Sequence, residues 1–318
     1  MQHYLRQGVL AVLCCLGLFA ETARAWPDRS IELVVGFAPG GGTDITARTL
    51  ATFLEKELGG TVVVVNKLGA SGAIGLTYVA RAKPDGHTLG MTNMPSLLTI
   101  PIEREAGYAP SDFTYLANLV KDPCAFSVSV NSPYKTLAEL VAAARAHPGK
   151  VSVSTSGIGT DDHLQMVFFE KATGTKLNHV PFNGSAPQRT AVFGGHTDVT
   201  GMNLGEAMPY SQTNLRILAQ AAEVRSILAP GVPTFKEQGV DVVLASERGV
   251  VGPKGLPPEV AQKLERALSR IAQNPEFIEQ TRAQFTEIDY LGSVQWQERL
   301  SRADRELREL WKTQRWAD

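Results

Sequence analysis

What most constrains this chain is an alternation of apolar runs, glycine-rich turns and amphipathic segments. Ile31–Gly36 reads as an apolar strand, and Phe37-Ala-Pro-Gly-Gly-Gly-Thr-Asp44 as the turn leaving it. Over Ile45–Leu58, the residues Ile45, Leu50, Ala51, Leu54 and Leu58 fall on one side of a helix, which Gly59-Gly60 stops. Thr61–Asn66 is apolar at every step from Val62 to Val65, the pattern of a strand buried on both faces. A turn at Gly69–Gly72, a short helix over Ala73–Ala82, the turn Pro84-Asp-Gly86 and a strand over His87–Asn93 complete the unit. Such an order predicts an α/β fold with a parallel sheet flanked by helices.

The middle of the chain repeats the scheme. Phe113–Val120 and Cys124–Val130 read as strands, and Thr136-Leu-Ala-Glu139 is a capping box opening a helix to Ala146. The strand Val151–Thr155 leads through Ser156-Gly-Ile-Gly-Thr160 into a helix from Asp161. Asn178–Pro181 leads through Phe182-Asn-Gly-Ser185 into a helix from Pro187. Further strands are expected at His196–Met202 and Leu215–Ala219, with an extended segment over Val242–Val251. Pro258–Gln273, Pro275–Gln284 and Ser293–Lys312 are predicted helices, the last docking through Trp296, Leu300, Leu307 and Leu310. No linker separates the two α/β units, so lobes joined by crossing strands are expected: 26–124 with 245–318, and 125–244.

Residues 1–25 read as a secretory signal. Arg6 supplies positive charge, Val9–Ala20 is an apolar run too short for a confident span, and Ala23-Arg24-Ala25 is an A-x-A cleavage site, placing the cut after Ala25. Cys14 and Cys15 leave with it, and Cys124 alone cannot form an internal disulfide. The fold must then stand on its core, for which 43% hydrophobic residues suffice. A periplasmic location fits best. The formal net charge of −1 argues against a nucleic-acid binder or a strongly basic membrane-surface protein.

Catalytic signatures are missing. The chain has no G-x-S-x-G, and Gly42 is followed by Thr43 without the Lys of a P-loop. His87, His147, His163, His179 and His196 stand apart, so neither a metal nor a cofactor is expected. Asp161-Asp162-His163 reads as metal ligands or as acids at a helix N-terminus, the latter being the better account. Ser71, Ser156 and Ser185 sit in glycine-containing turns, but a nucleophile needs a base in contact with it.

The turns themselves suggest a different chemistry. In open α/β sheets, ligands bind beyond the carboxyl ends of the strands. A helix N-terminus there offers free N–H groups and partial positive charge, and glycine lets the ligand approach. Gly40-Gly41-Gly42-Thr43-Asp44 and Ser156-Gly-Ile-Gly-Thr160 are two such turns, one on each expected lobe. Together they suit a small carboxylate gripped from both sides; helix capping alone would also account for both.

Several segments resemble the receptors of tripartite tricarboxylate transporters, also called the Bug family. They are Trp26-Pro27-Asp28, Phe37–Asp44, Val65-Asn66 with Gly69-Ala-Ser-Gly72, Pro84-Asp-Gly86, and Val180-Pro-Phe-Asn-Gly-Ser-Ala-Pro187. Gly194-Gly-His-Thr-Asp198, Val232-Pro-Thr234 with Glu237-Gln-Gly239, and Gly252-Pro-Lys-Gly-Leu-Pro257 follow in the same order. The resemblance implies a two-lobed, type II periplasmic-binding-protein (Venus flytrap) fold without catalysis, and a small carboxylate ligand delivered to membrane transporter subunits. A sensor working through a partner kinase would use the same fold. A monomer is expected. Carried onto this chain, the ligand loops are Phe37, Pro39, Gly41, Gly42, Thr43 and Asp44, with Asn93 and Ser96. Facing them are Ser156, Gly159 and Thr160, with Phe182, Asn183, Asp198 and Asn203 nearby. Phe182 stands where Tyr is frequent, removing a hydroxyl. Arg248 either forks onto a distal ligand carboxylate or forms a surface or inter-lobe salt bridge, for which neighbouring Glu247 is a candidate partner. Glu206 would oppose an anion if it faced the cleft, or would take a ligand amine or a water.

Overall fold

The structure is a computed structural model, and it describes residues 26–317. The signal expected at 1–25 lies outside the described residues. Two sheets organise the described residues. The first contains β1 (Ile31–Val35), β2 (Val62–Asn66), β3 (Thr88–Met91), β4 (Phe113–Pro123), β10 (Ala245–Pro253) and β11 (Glu287–Gly292), ordered β11-β4-β10-β3-β1-β2. The second contains β5 (Ala125–Ser129), β6 (Ser152–Thr155), β7 (Asn178–Pro181), β8 (Val199–Thr200) and β9 (Leu215–Gln220), ordered β7-β6-β8-β5-β9. The helices are α1 (Gly42–Leu58), α2 (Ala73–Ala80), α3 (Ser96–Glu103), α4 (Leu137–Ala146), α5 (Asp161–Thr173), α6 (Ser185–Phe193), α7 (Leu204–Ala207), α8 (Pro258–Gln273), α9 (Pro275–Ala283) and α10 (Ser293–Thr313).

Each sheet has its own core. In the first lobe, Ile31, Leu33, Leu50, Phe53, Leu264 and Phe277 are buried between sheet and helices. In the second, Phe126, Phe169 and Phe235 pack as an aromatic trio, with ring centroids 5.0 to 6.1 Å apart. The chain leaves the first sheet at Pro123 and returns at Ala245, residues that are register partners. Between them, Cys124 N–H donates to Leu244 O at 2.9 Å, and Leu244 N–H donates to Ala221 O at 2.9 Å. The two crossings therefore run side by side. Cys124 is fully buried.

The local signals produce the expected elements where they are strongest. The Thr136–Glu139 capping box forms at the start of α4, with Glu139 N–H donating to Thr136 Oγ1 at 3.2 Å. Helix α8 spans the residues expected of it. The sheet differs from expectation. β1, β2 and β3 are parallel, but β10 is antiparallel to both β3 and β4, so the sheet is mixed. The returning chain enters beside the strand that left, which forces the opposite direction. β2 is an edge strand with Val63 exposed, not a strand buried on both faces. The strand expected over His196–Met202 shrinks to the two residues of β8, and the helix expected from Pro187 begins at Ser185. Three elements, α3, α7 and β11, were not anticipated.

Helix α10 docks through Trp296 and Leu300, which are buried, while Leu307 and Leu310 are half-buried. The Trp296 ring stands perpendicular to Tyr115 at 5.3 Å and lies over Gly249, where an added Cβ would meet it at 2.4 Å. Trp296→Ala would open a large cavity between α10 and the sheet. It should cost about 3–5 kcal/mol, a fall in Tm on the order of 10 °C by calorimetry. A loss below about 1 kcal/mol, the range of surface substitutions, would show that α10 docks without this ring.

Candidate ligand cleft

The first wall is the turn between β1 and α1. Helix α1 begins at Gly42, and Gly41 before it supplies no side-chain cap, so the first N–H groups are left for another partner. Gly40 has a φ of +78°, which the turn requires. Asp44 does not face the cleft. Its carboxylate accepts from Gly40 N–H at 2.9 Å, from the Arg48 guanidinium at 2.9 Å and from Asn66 Nδ2 at 2.8 Å. Burial raises this carboxyl, but those hydrogen bonds outweigh burial and hold it below the usual range. Asp44 is thus a staple that shapes the loop.

The second wall comes from the other lobe. Ser156 N–H donates to Asp162 Oδ2 at 2.9 Å, tying the β6–α5 turn to the first turn of α5. Ser185 is the first residue of α6, and like α1 this helix has a glycine, Gly184, in place of a capping side chain. Asn203 precedes α7. Its Nδ2 donates to Asp161 Oδ2 at 2.7 Å, and its Oδ1 accepts from Arg248 Nη2 at 3.0 Å.

The walls meet. Ala38 N–H donates to Asn183 O at 3.1 Å, and Thr99 Oγ1 donates to Gly159 O. A Cβ on Gly41 would lie 2.7 Å from Ser185 Oγ, and one on Gly184 would lie 2.9 Å from Ala38 N. The cleft is closed around a cavity of about 10 Å³ for the centre of a water molecule, the space of a single water. Of the residues expected to bind ligand, Phe37, Gly41, Gly42, Thr43, Asn93, Ser156, Asn203 and Arg248 line it. Ser185 and Glu206 complete its wall.

The other expected residues do not line the cavity, each for a visible reason. Pro39 is exposed on the turn, and Ser96 is buried against Asn93 within the first lobe. Thr160 Oγ1 is turned back onto Gly157 O at 2.8 Å. Gly159 and Asn183 touch the other lobe through backbone carbonyls, and Phe182 is half-buried outside the cavity. Asp198 accepts from Ser152 N–H at 2.8 Å and Ser152 Oγ at 2.6 Å, which fastens β6 to β8. Asp122 was missed, yet it is central. It sits at the end of β4, just beyond the stretch expected as a strand, and its partner is 126 residues away.

That partner is Arg248, which is 1% exposed. Its Nη1 donates to Asp122 Oδ2 at 3.2 Å, and its Nε is buried without a partner. Three carboxyls, those of Asp122, Asp161 and Glu206, crowd this one guanidinium, and Asp162 lies beside Asp161 and Glu206. Burial pushes Asp122 up to about 7, against the pull of Arg248 and with a further push from Glu206. Burial likewise raises Asp161 and Asp162. Behind them, His163 and His179 stack at 4.1 Å, and burial holds both neutral, at about 3 and about 4. Glu247, next to Arg248 on β10, faces the other way and pairs with Arg299 at 2.6 Å. On that face lies a larger groove of about 860 Å³, walled by Ile227 and Val224 on one side and Leu307 and Leu310 on the other.

Two α/β lobes closed on a cavity at uncapped helix N-termini define a solute-binding receptor of the type II periplasmic-binding-protein fold. Residues 46–308 match the tripartite tricarboxylate transporter family receptor, and the chain belongs to this family, one of receptors and not enzymes. A UPF0065 protein from the gbd 5′ region of Cupriavidus necator is 35% identical over 93% of this chain and 92% of its own. Among solved structures, R. palustris Rpa4515 with adipate superposes with a TM-score of 0.87 at 29% identity, covering 91% of this chain and 98% of that one. MatC (Rpa3494) from Rhodopseudomonas palustris with bound malate gives a TM-score of 0.84 at 26% identity, over 90% and 99% of the two chains.

Two predictions follow from this geometry. A Cβ on Gly42 would lie 2.5 Å from Arg248 Nη2 and 2.7 Å from Glu206 Oε1. Gly42→Ala should therefore weaken binding of any acid the wild type takes by tenfold or more, about 1.4 kcal/mol, in titration calorimetry. The Tm of the free protein should suffer less, because parting the lobes removes Glu206 and releases the Arg248 fork from Asn203 so that it can turn aside; losses of equal free energy would make the turn structural. The second concerns pH. A carboxyl raised from about 3.9 in the unfolded chain to about 7 in the fold keeps a proton that the unfolded chain releases. Its contribution is full below pH ~4 and is lost as pH rises through 7. His163 and His179, depressed in the fold, act oppositely below pH ~6.5. The stability difference between wild type and Asp122→Asn should isolate the carboxyl, growing in favour of wild type by a few kcal/mol from pH 7 to 4. A flat difference in denaturant titrations would show that Asp122 is ionised throughout.

Proposed function

We propose that this protein is a periplasmic receptor that captures a small mono-, di- or tricarboxylate between its lobes and delivers it to the membrane subunits of a tripartite tricarboxylate-type transporter. One observation carries the carboxylate: the closed cavity already seats one. Glu206 Oε1 accepts from Gly42 N–H, the first of α1, and from Ser185 Oγ at the start of α6. Donors that hold one carboxylate suit another, and uncapped helix N-termini favour anions. The adipate and malate held by the two solved relatives support the same class.

The working lobes are taken as 26–124 with 245–318, and 125–244, turning on the paired crossings. Within them, Phe37, Gly41, Gly42, Thr43, Asn93, Ser156, Asn203 and Arg248 surround the ligand, with Ser185. Binding shifts the population toward a ligand-filled closed form, and it is this filled form that the membrane partner recognises. The chain works as a monomer after export by its N-terminal signal and cleavage following Ala25.

The test is thermal. Mature protein, refolded free of ligand, is melted against mono-, di- and tricarboxylates. An acid present at ~100 times its dissociation constant adds about 2.7 kcal/mol, a rise of roughly 5 °C for a chain of this size. A rise confined to one class of acid names the ligand class. No rise with any acid would overturn the carboxylate reading.

A further inference from the structure

Glu206 has two oxygens with different work. Oε2 accepts from Asn203 N–H at 3.1 Å and closes a capping box at the start of α7, all within one lobe. Oε1 does nothing for that helix. It reaches across the cleft to Gly42 N–H on the opposite lobe and shares Ser185 Oγ. The residue is 7% exposed, so this carboxylate has left water to make those contacts. The cavity beside it has room for about one water, and no organic acid enters a space of that size.

We propose that Glu206 is an internal competitor for the ligand seat: its carboxylate latches the empty cleft shut, and a carboxylate ligand must displace it from Gly42 and Ser185. The inference rests on the receptor reading above. Glu206 then sets affinity, because the binding-competent form is only the fraction of molecules in which the latch is open. Apparent affinity falls by that fraction.

The surroundings agree with this assignment. Three other carboxyls crowd the same space, and Arg248 is the one guanidinium among them, already engaged by Asp122 and Asn203. A ligand carboxylate added while Glu206 stayed in place would face that acidic surplus with no free donor at Gly42. Once Glu206 swings out, the charge in the seat is unchanged and the donors are satisfied again. The unpaired, fully buried Nε of Arg248 lies in the same wall and remains for a second ligand oxygen.

The test compares wild type with Glu206→Gln and Glu206→Ala. Gln keeps an oxygen for the α7 cap but lacks the charge, and Ala removes both contacts; melting curves of the free proteins confirm folding. Two readouts are taken: small-angle X-ray scattering of the ligand-free proteins, and calorimetric titration with malate, adipate and citrate. The latch predicts a larger radius of gyration for both free variants. It also predicts about tenfold tighter binding of whichever acid the wild type takes, if the open fraction of wild type is ~10%. Weaker binding by the variants would overturn the proposal, since Glu206 would then be a ligand contact. Unchanged scattering would overturn it too. If no acid binds any of the three proteins, the receptor reading for carboxylates fails, and scattering alone decides the latch.

Discussion

The closed form depends on a guanidinium buried where the chain crosses between lobes. Arg248 on β10 is fixed by Asp122 on β4 and by Asn203 at the start of α7. A charge this deep is tolerated only when paired and hydrogen-bonded, and loss of one partner leaves an uncompensated ion at a cost of several kcal/mol. Both crossing strands and the first helix turn beside the cleft are therefore held in one register. Asn203 extends the arrangement by donating to Asp161, which opens α5. One polar cluster thus ties two strands of the first sheet to the N-termini of α5 and α7 in the second lobe.

The cleft is made reactive toward anions by what its loops omit. Helices α1 and α6 begin after glycines with no capping side chain, so their first donors are unspent within their own lobes. The same glycines, Gly41 and Gly184, let the two backbones approach closely enough to exclude a Cβ. Closure and ligand recognition are consequences of one local property. Asp44, which looked like a ligand contact, serves instead to keep the first turn in shape while leaving the Gly42 N–H to a partner across the cleft.

Much of this was legible in the sequence, for reasons that differ between elements. Helix α8 announces itself by its leading prolines and its apolar stripe, and α4 by its capping box; both signals are local. The glycine-rich turns are equally local, and they located both faces of the cleft. An apolar run such as Val62–Val65 does not distinguish an edge strand from a central one, because position in the sheet is set by distant partners. β11 was invisible because its Glu, Asp and Tyr side chains are only half-buried at a sheet edge. The strand direction of β10 follows from the chain's return path, which no short window contains. Within the site, the turns revealed where N–H groups gather but not which side chains face them. Thr160 and Asp198 satisfy their own turns and strands, and the Asp122–Arg248 pair joins residues too far apart in sequence for spacing to reveal.

The crossing topology also has a consequence for how the protein is made. Strands β5–β9 come from one contiguous stretch, residues 125–220, and can pair as soon as that stretch is available. The first sheet cannot. Its strand β10 inserts between β3 and β4, so β1–β3 and β4 stay unjoined until residue 253 has been delivered. The contacts that unite them span long loops, and such pairings form slowly. During folding, the second lobe is thus ready first, and the N-terminal strands wait with open edges, a state prone to aggregation. An order of assembly that runs against the order of the sequence is built into the same pair of strands that crosses between the lobes.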